Sequence, residues 1–205
     1  MTGIEALLTR ASHELSDATP RLSEESLARA GPLAPQLLAL LFRRNGFYAF
    51  ESSLHVWPSD QIDAWNATDL WRSAYDNATS DALFFAEDAF AHQWCIVDGV
   101  IRKFDPEDAV MQDAARSLDG WATRMLDDYE VETGWPLMHE WQLKFGPLPE
   151  GRRLATKIPI FLGGLYDIEN LYAAPTVSYL RYCGDIWHQT RNAPNGAPVE
   201  LRIVP

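Results

Sequence analysis

Two pairings of cysteine with histidine, His92-x-x-Cys95 and Cys183-x4-His188, together hold the ligand types of a structural zinc site. Their spacing argues against one. On a strand, residues three apart project from opposite faces, and on a helix residues five apart are well over a quarter turn out of line. Both cysteines also sit among bulky apolar residues, the usual setting of an inert buried thiol. The expectation is therefore no metal and no cofactor. His139-Glu140 opens like a zinc-protease helix, but Leu143 stands where the second histidine should be. The chain shows no nucleophile elbow, no phosphate-cradling glycine loop and no dinucleotide fingerprint. Gly163-Gly164 leads into Leu165-Tyr166 rather than into the Lys and Ser/Thr that reach phosphate and magnesium. It reads as a backbone turn or bulge, with close approach to a ligand as the alternative.

Carboxylates are the remaining reactive groups. Glu87-Asp88 and Asp127-Asp128 are adjacent in sequence, and neighbouring side chains diverge on strands and helices alike. No nucleophile accompanies either pair, so acid–base catalysis is not expected and the chain reads as a protein that is not an enzyme. His55 reads as a packed or hydrogen-bonded residue rather than a base. As acceptors for the arginines of a basic partner, carboxylate clusters need no such internal geometry.

The formal net charge is −12 and is unevenly spread. From Asn45 to Ile101 nine acids face one base, Arg72, and from Asp105 to Glu132 nine acids face Arg116 and Arg124. From Lys144 to the end, seven bases outnumber five acids. Nucleic acid, which needs a basic footprint, is not expected as a direct partner. A basic protein steered in by the field is favoured, with plain solubility as the alternative. The candidate partner-binding residues are Glu87, Asp88, Asp105, Glu107 and Asp108 on a hairpin edge, and Asp127, Asp128 and Glu130 on a helix face. Trp57, Trp65 and Trp71 are either interface anchors or, by their type, core.

These residues need elements to hold them. Thr2-Gly3-Ile4-Glu5 has capping-box spacing and opens an N-terminal helix. Residues 16–35 read as a linker with one helical turn near Glu24 to Ala28, and a stronger helix spans Pro35 to Asn45, with Gly46 as its left-handed cap. Two short strands flank Glu51-Ser52-Ser53, and Ser59 caps a helix running towards Tyr75. Strands at 83–87, 93–98 and 100–104 follow, the last two joined by Asp98-Gly99, a dipeptide suited to the positive φ angles of a tight hairpin. Gln112 to Tyr129 forms an amphipathic helix with Leu118, Trp121, Met125, Leu126 and Tyr129 on one side. A short helix at Leu137 to Lys144, a strand at Leu154 to Phe161, a helix at Pro175 to Arg191 and a last strand through Val199, Leu201 and Ile203 complete the pattern. This is α+β, with a mainly antiparallel mixed sheet flanked by helices. Two cysteines are too few for a disulfide framework, and no stretch is long and apolar enough to cross a bilayer. Nothing near Met1 resembles an export leader, so the cytoplasm is the expected compartment and no membrane partner is expected.

The stretch from Phe84 to Asp108 resembles a hairpin of the SUKH superfamily (the Smi/Knr family). Phe47 to Pro58, Phe161-Leu162-Gly163-Gly164 and Asp167 to Leu171 are similar to segments of its longer bacterial members. The likeness covers roughly residues 33 to 204. It implies a single SUKH-like domain at 33–205, preceded by an N-terminal helix and linker at 1–32 and carrying a helical insertion near 129–151. Many bacterial members are immunity proteins, so the resemblance implies a toxin domain, for instance a nuclease, as the basic partner to be occluded. A regulatory scaffold of the same family is one alternative. A ligand-binding protein or enzyme with a pocket near Gly163-Gly164 is another.

Overall fold

The computed structural model describes residues 1–194 and 201–202. Helix α1 (Gly3–Leu8) starts with the expected capping box, in which Thr2 and Glu5 satisfy each other's backbone N–H groups. The supposed linker contains two full turns, α2 (Glu24–Ala30), with Ser23 as N-cap, and leads through a 3-10 turn into α3 (Ala34–Arg43). Gly46 lies beyond the end of α3; its cap is Arg44, in extended backbone. Leu7, Ala30, Leu37 and Leu40 are fully buried in one core, so the N-terminal segment shares the interior of the rest.

Strands β1 (Phe47–Ala49) and β2 (Leu54–Val56) turn through Phe50, Glu51 and Ser52, all at positive φ. Helix α4 (Ser59–Trp65) is shorter than its apolar pattern predicts, and Pro58, not Ser59, is its N-cap. Asn66 ends it: its side chain donates to the carbonyls of Ile62 and Phe84 and accepts from the Phe84 N–H. Arg72 is buried and donates to the carbonyls of Asn66, Thr79 and Ser80, bracing the turn before the sheet resumes.

The hairpin strands are β3 (Leu83–Glu87), β4 (Gln93–Val97) and β5 (Val100–Phe104). Asp98 and Gly99 have φ of 52° and 72°, both left-handed, as the turn reading requires. An unexpected strand, β6 (Met111–Ala115), occupies what the apolar period assigns to the start of a helix. It pairs with β5, and Ser117 then caps α5 (Leu118–Asp127) through the Gly120 N–H. The six strands form an antiparallel meander, β1-β2-β3-β4-β5-β6. Residues 129–145 form two helices, α6 (Tyr129–Thr133) and α7 (Trp135–Phe145).

A separate antiparallel pair, β7 (Arg152–Thr156) and β8 (Leu171–Pro175), follows, and α8 (Thr176–Thr190) packs on it. The molecule is therefore α+β, and every pairing among the described strands is antiparallel. Ala89, Met138, Trp141, Leu154, Ile168 and Leu171 build a smaller second core between α7 and the β7–β8 pair. Leu201 and Arg202 are not in a strand; Val199 and Ile203 lie outside the described residues.

Gly163-Gly164 is a turn. Gly163 has a φ of 93° and ends a short 3-10 turn, and a Cβ on buried Gly164 would run into the carbonyl oxygen of Ile158. Gly164→Ala is expected to destabilise by roughly 1–3 kcal/mol, as overpacking against backbone does. The urea midpoint measures this; an unchanged midpoint would show that the close approach is not required.

Candidate functional site

Strand β3 ends in two acids that part company. Side chains alternate along an extended chain, so Glu87 and the following Asp88 are delivered to different sides. Each is buried, with 2% and 1% exposure, and each meets its own cations. The reading of these two as surface acceptors for a partner is therefore corrected. A carboxylate this buried must be paired inside the fold, and both are.

Glu87 Oε1 accepts from Arg153 Nε at 2.8 Å and lies 3.2 Å from His55 Nδ1. Its other oxygen accepts from Gln93 Nε2 at 3.1 Å, and Gln93 in turn accepts from the Trp65 indole at 2.9 Å. Burial alone would raise the Glu87 carboxyl, but the Arg153 charge and the His55 bond hold it below its ordinary value. Burial pushes His55 below the usual imidazole range despite Glu87, so the ring is neutral at pH 7, with its proton on Nδ1, facing the carboxylate. The imidazole stacks on Tyr48 at 4.4 Å and meets Trp57 at 4.1 Å, and Trp57 stacks on Trp65 at 4.2 Å. Trp57, Trp65 and Trp71 are all buried, as core residues. The cluster floors a cleft of about 390 Å³ between the β1–β2 face and residues 148–153, with Leu15 at its edge.

Asp88 opens the turn back to β4. Its Oδ1 accepts from the N–H groups of Phe90 and His92, and its Oδ2 lies 2.8 Å from His92 Nδ1 and 2.9 Å from Lys103 Nζ. His92 Nε2 is 3.6 Å from Asp105. Burial would depress His92, but the charge of Asp88 and the bonds to Asp105 and Asp88 raise it to about 9. The same cations hold Asp88 well below the carboxylate range against its burial. Above this cluster lies an open groove of about 330 Å³, walled by Phe90, Val131, Pro136, Leu137 and Tyr166 and edged by Glu130.

The remaining sequence candidates divide. Asp105 is partly exposed and Asp108, Asp127, Asp128 and Glu130 are exposed. Glu107 turns inward, accepting from Thr156 Oγ1, Tyr179 OH and the Ile160 N–H, and burial raises its carboxyl. Of the eight, the groove is lined by buried Asp88 and by Glu130, with Asp105 beside the lining His92. It does not gather all eight. Neither cavity is lined by Gly163 or Gly164. Cys95 and Cys183 are buried free thiols; burial pushes Cys95 up to about 12 and raises Cys183 further. Among the described residues no three His, Cys, Asp or Glu side chains are placed to hold a metal. His139 pairs instead with Glu51 at 2.7 Å.

Sequence reasoning missed Arg153, Lys103 and the groove walls Phe90 and Tyr166. The available signal was Glu87 closing the apolar run from Leu83, where an acid needs a buried cation.

No family model matches the chain, and no curated protein matches it. Among solved structures it is similar to the crystal structure of Atu4351 from Agrobacterium tumefaciens, with 13% sequence identity, a TM-score of 0.59 and 86% of each chain covered. That likeness concerns the fold.

Proposed function

We propose that the protein is a non-catalytic binding domain, of the bacterial immunity type that the SUKH resemblance implies, acting by occluding a basic toxin domain. The observation that carries this reading is the groove beside Asp88. Its apolar walls are edged by exposed Glu130, with partly exposed Asp105 beside His92, while the buried acid below, Asp88, is already neutralised by Lys103 and His92. The surplus charge is therefore on the outside. Arg72, the single base between Asn45 and Ile101, is withdrawn into the interior, so that stretch presents acids alone.

The fitting occupant is an aromatic or aliphatic side chain flanked by Lys or Arg on a basic protein. The apolar anchor fills the space between Val131 and Tyr166, and the flanking cations meet Glu130, Asp127, Asp128 and Asp105. Such anchors carry most of the affinity, and the surrounding charges speed and orient the encounter. His55 stands beside Glu87, but no Ser, Thr or Cys among the described residues hydrogen-bonds its Nε2. The cluster therefore has no activated nucleophile. The same fold and surface suit a regulatory scaffold, which would bind a basic partner without protecting against it.

Co-expression with the product of the adjacent open reading frame tests the reading. The expected result is rescue from growth arrest and a complex that weakens between 50 and 300 mM salt, by at least about tenfold. Val131 is 70% exposed, so Val131→Asp is expected to leave folding intact while weakening the complex by roughly 30-fold or more, the loss of one hot-spot contact. Unchanged affinity in Val131→Asp and Tyr166→Ala would remove the groove from the interface.

A further inference from the structure

The other cavity, floored by Glu87, has unfinished hydrogen bonding. Arg153 is 3% exposed at its side chain, and its guanidinium donates through Nε to Glu87 and through Nη1 to the Ser52 carbonyl. Its Nη2 has no partner among the described residues, and the residue lines the cleft. His55 is equally buried. Its Nδ1 is taken by Glu87, its Nε2 has no partner among the described residues, and it too lines the cleft. A third polar atom, the indole Nε1 of Trp57 in the cleft wall, is buried without any partner. Of the three, only the Trp57 N–H is sealed from solvent; the Arg153 and His55 nitrogens are not, so a molecule in the cleft can reach them and take the place of solvent as their partner. Ion pairs held out of water are weak evidence of stability but are frequent at binding sites.

The chemistry these groups offer is specific. Arg153 Nη2 can only donate. Neutral His55, with its proton held on Nδ1 by Glu87, can only accept at Nε2. Arg153 Nε and His55 Nδ1 meet the same carboxylate oxygen, Glu87 Oε1, so the two side chains that carry the donor and the acceptor are neighbours on the cleft floor. The floor is charge-balanced, Glu87 against Arg153, and at the mouth Glu150 stands beside Arg152. A phosphate or other dianion finds no surplus positive charge here. The cleft is lined by the rings of Tyr48 and Trp57 and by Leu15, Leu148 and Pro149; His55 stacks on one face of Tyr48 and Trp65 on one face of Trp57, and a planar body is the shape that packs on what these rings leave open. A cleft of about 390 Å³ lies at the small end of the range of ligand pockets.

We propose that this cleft binds a small, flat, uncharged ring carrying an adjacent carbonyl and N–H, the edge presented by a lactam or a pyrimidine base. The carbonyl accepts from Arg153 Nη2, the N–H donates to His55 Nε2, and the ring lies against Trp57. The site is separate from the groove beside Asp88, so its failure would leave the partner-binding reading standing.

The test uses the full wild-type chain and side-chain NMR, following the Arg153 Nε–H and Trp57 indole resonances. Titration with uracil, 2-pyridone and hypoxanthine is expected to give saturable shifts of both resonances for at least one of the three. 1,3-Dimethyluracil, which keeps the carbonyls but lacks the N–H, is expected to bind at least about tenfold more weakly than uracil, the worth of one buried hydrogen bond. Benzoate, flat but charged, is expected to leave both resonances unmoved. Leu15→Trp plugs the mouth from an exposed position without touching the buried charges, and is expected to abolish the shifts while keeping the melting temperature. The proposal is overturned by an absence of saturable shifts with all three rings. Binding of dimethyluracil as tight as that of uracil, stronger binding of benzoate, or an undiminished response in Leu15→Trp would overturn it equally.

Discussion

Arg153→Met is expected to cost roughly 3–5 kcal/mol, because it leaves Glu87 as a buried carboxylate without its main counter-ion. Both side chains of the pair are 3% exposed, so water cannot take over the lost contact. For a chain of this size that loss lowers the melting temperature by roughly 6–20 °C. The decisive comparison is the double variant Glu87→Gln/Arg153→Met. It removes the stranded charge, keeps an acceptor for Gln93 Nε2, and is expected to be more stable than Arg153→Met alone. Should the double variant be the less stable of the two, the damage comes from lost packing of the long arginine stem and not from an orphaned charge.

Asp88→Asn is expected to be the next most damaging change, at about 2–3 kcal/mol near pH 6. The new amide can still accept from the Phe90 and His92 N–H groups, but its NH2 would face two donors, Lys103 Nζ and protonated His92. The effect carries a pH signature. His92 is raised from 6.5 to about 9, so its contribution is fully present below 6.5 and is lost as pH rises through 9. Asp88 is lowered from 3.8, so its contribution is present above 3.8 and is lost as pH falls well below that value. The gap between wild type and Asp88→Asn should therefore be widest between about pH 4 and 6.5 and narrow on both sides. Lys103 keeps it from closing at high pH. Urea midpoints across pH 3 to 10 measure this. A gap independent of pH would mean that the asparagine disrupts the turn and that the charges contribute nothing.

Legibility in the sequence follows how local each interaction is. The Thr2–Glu5 capping box and the Asp98-Gly99 turn are settled by residues within four positions of each other, and both form as expected. Met111 to Ala115 is composed of residues that tolerate a helix, and only pairing with β5 makes it a strand. Ser117, a good N-cap, was the local hint that the helix starts later. Residues 16–35 look like a linker because their polar residues obscure α2, whose Ser26 and Ala30 are nevertheless buried. The site was the least legible part. A charge reading places every acid on the surface, whereas Glu87 finds its arginine 66 residues further along the chain. Asp127, Asp128 and Glu130, on short local helices, are exposed where the helical period puts them.

The two buried clusters also explain why changes near the middle of the chain will be hard to interpret in binding assays. Variants at Glu87 or Asp88 alter stability first, so only exposed positions such as Val131, Tyr166 and Glu130 report cleanly on an interface.

The most direct measurement is a titration of the adjacent gene's product, at a concentration well above the Kd, with increasing amounts of this protein while the partner's activity is followed. The expected result is a linear fall ending at a fixed stoichiometric ratio, with full activity and unchanged mass recovered once high salt separates the two. Loss of activity at a small fraction of that ratio, or a partner recovered cleaved or modified, would contradict occlusion and establish catalysis instead.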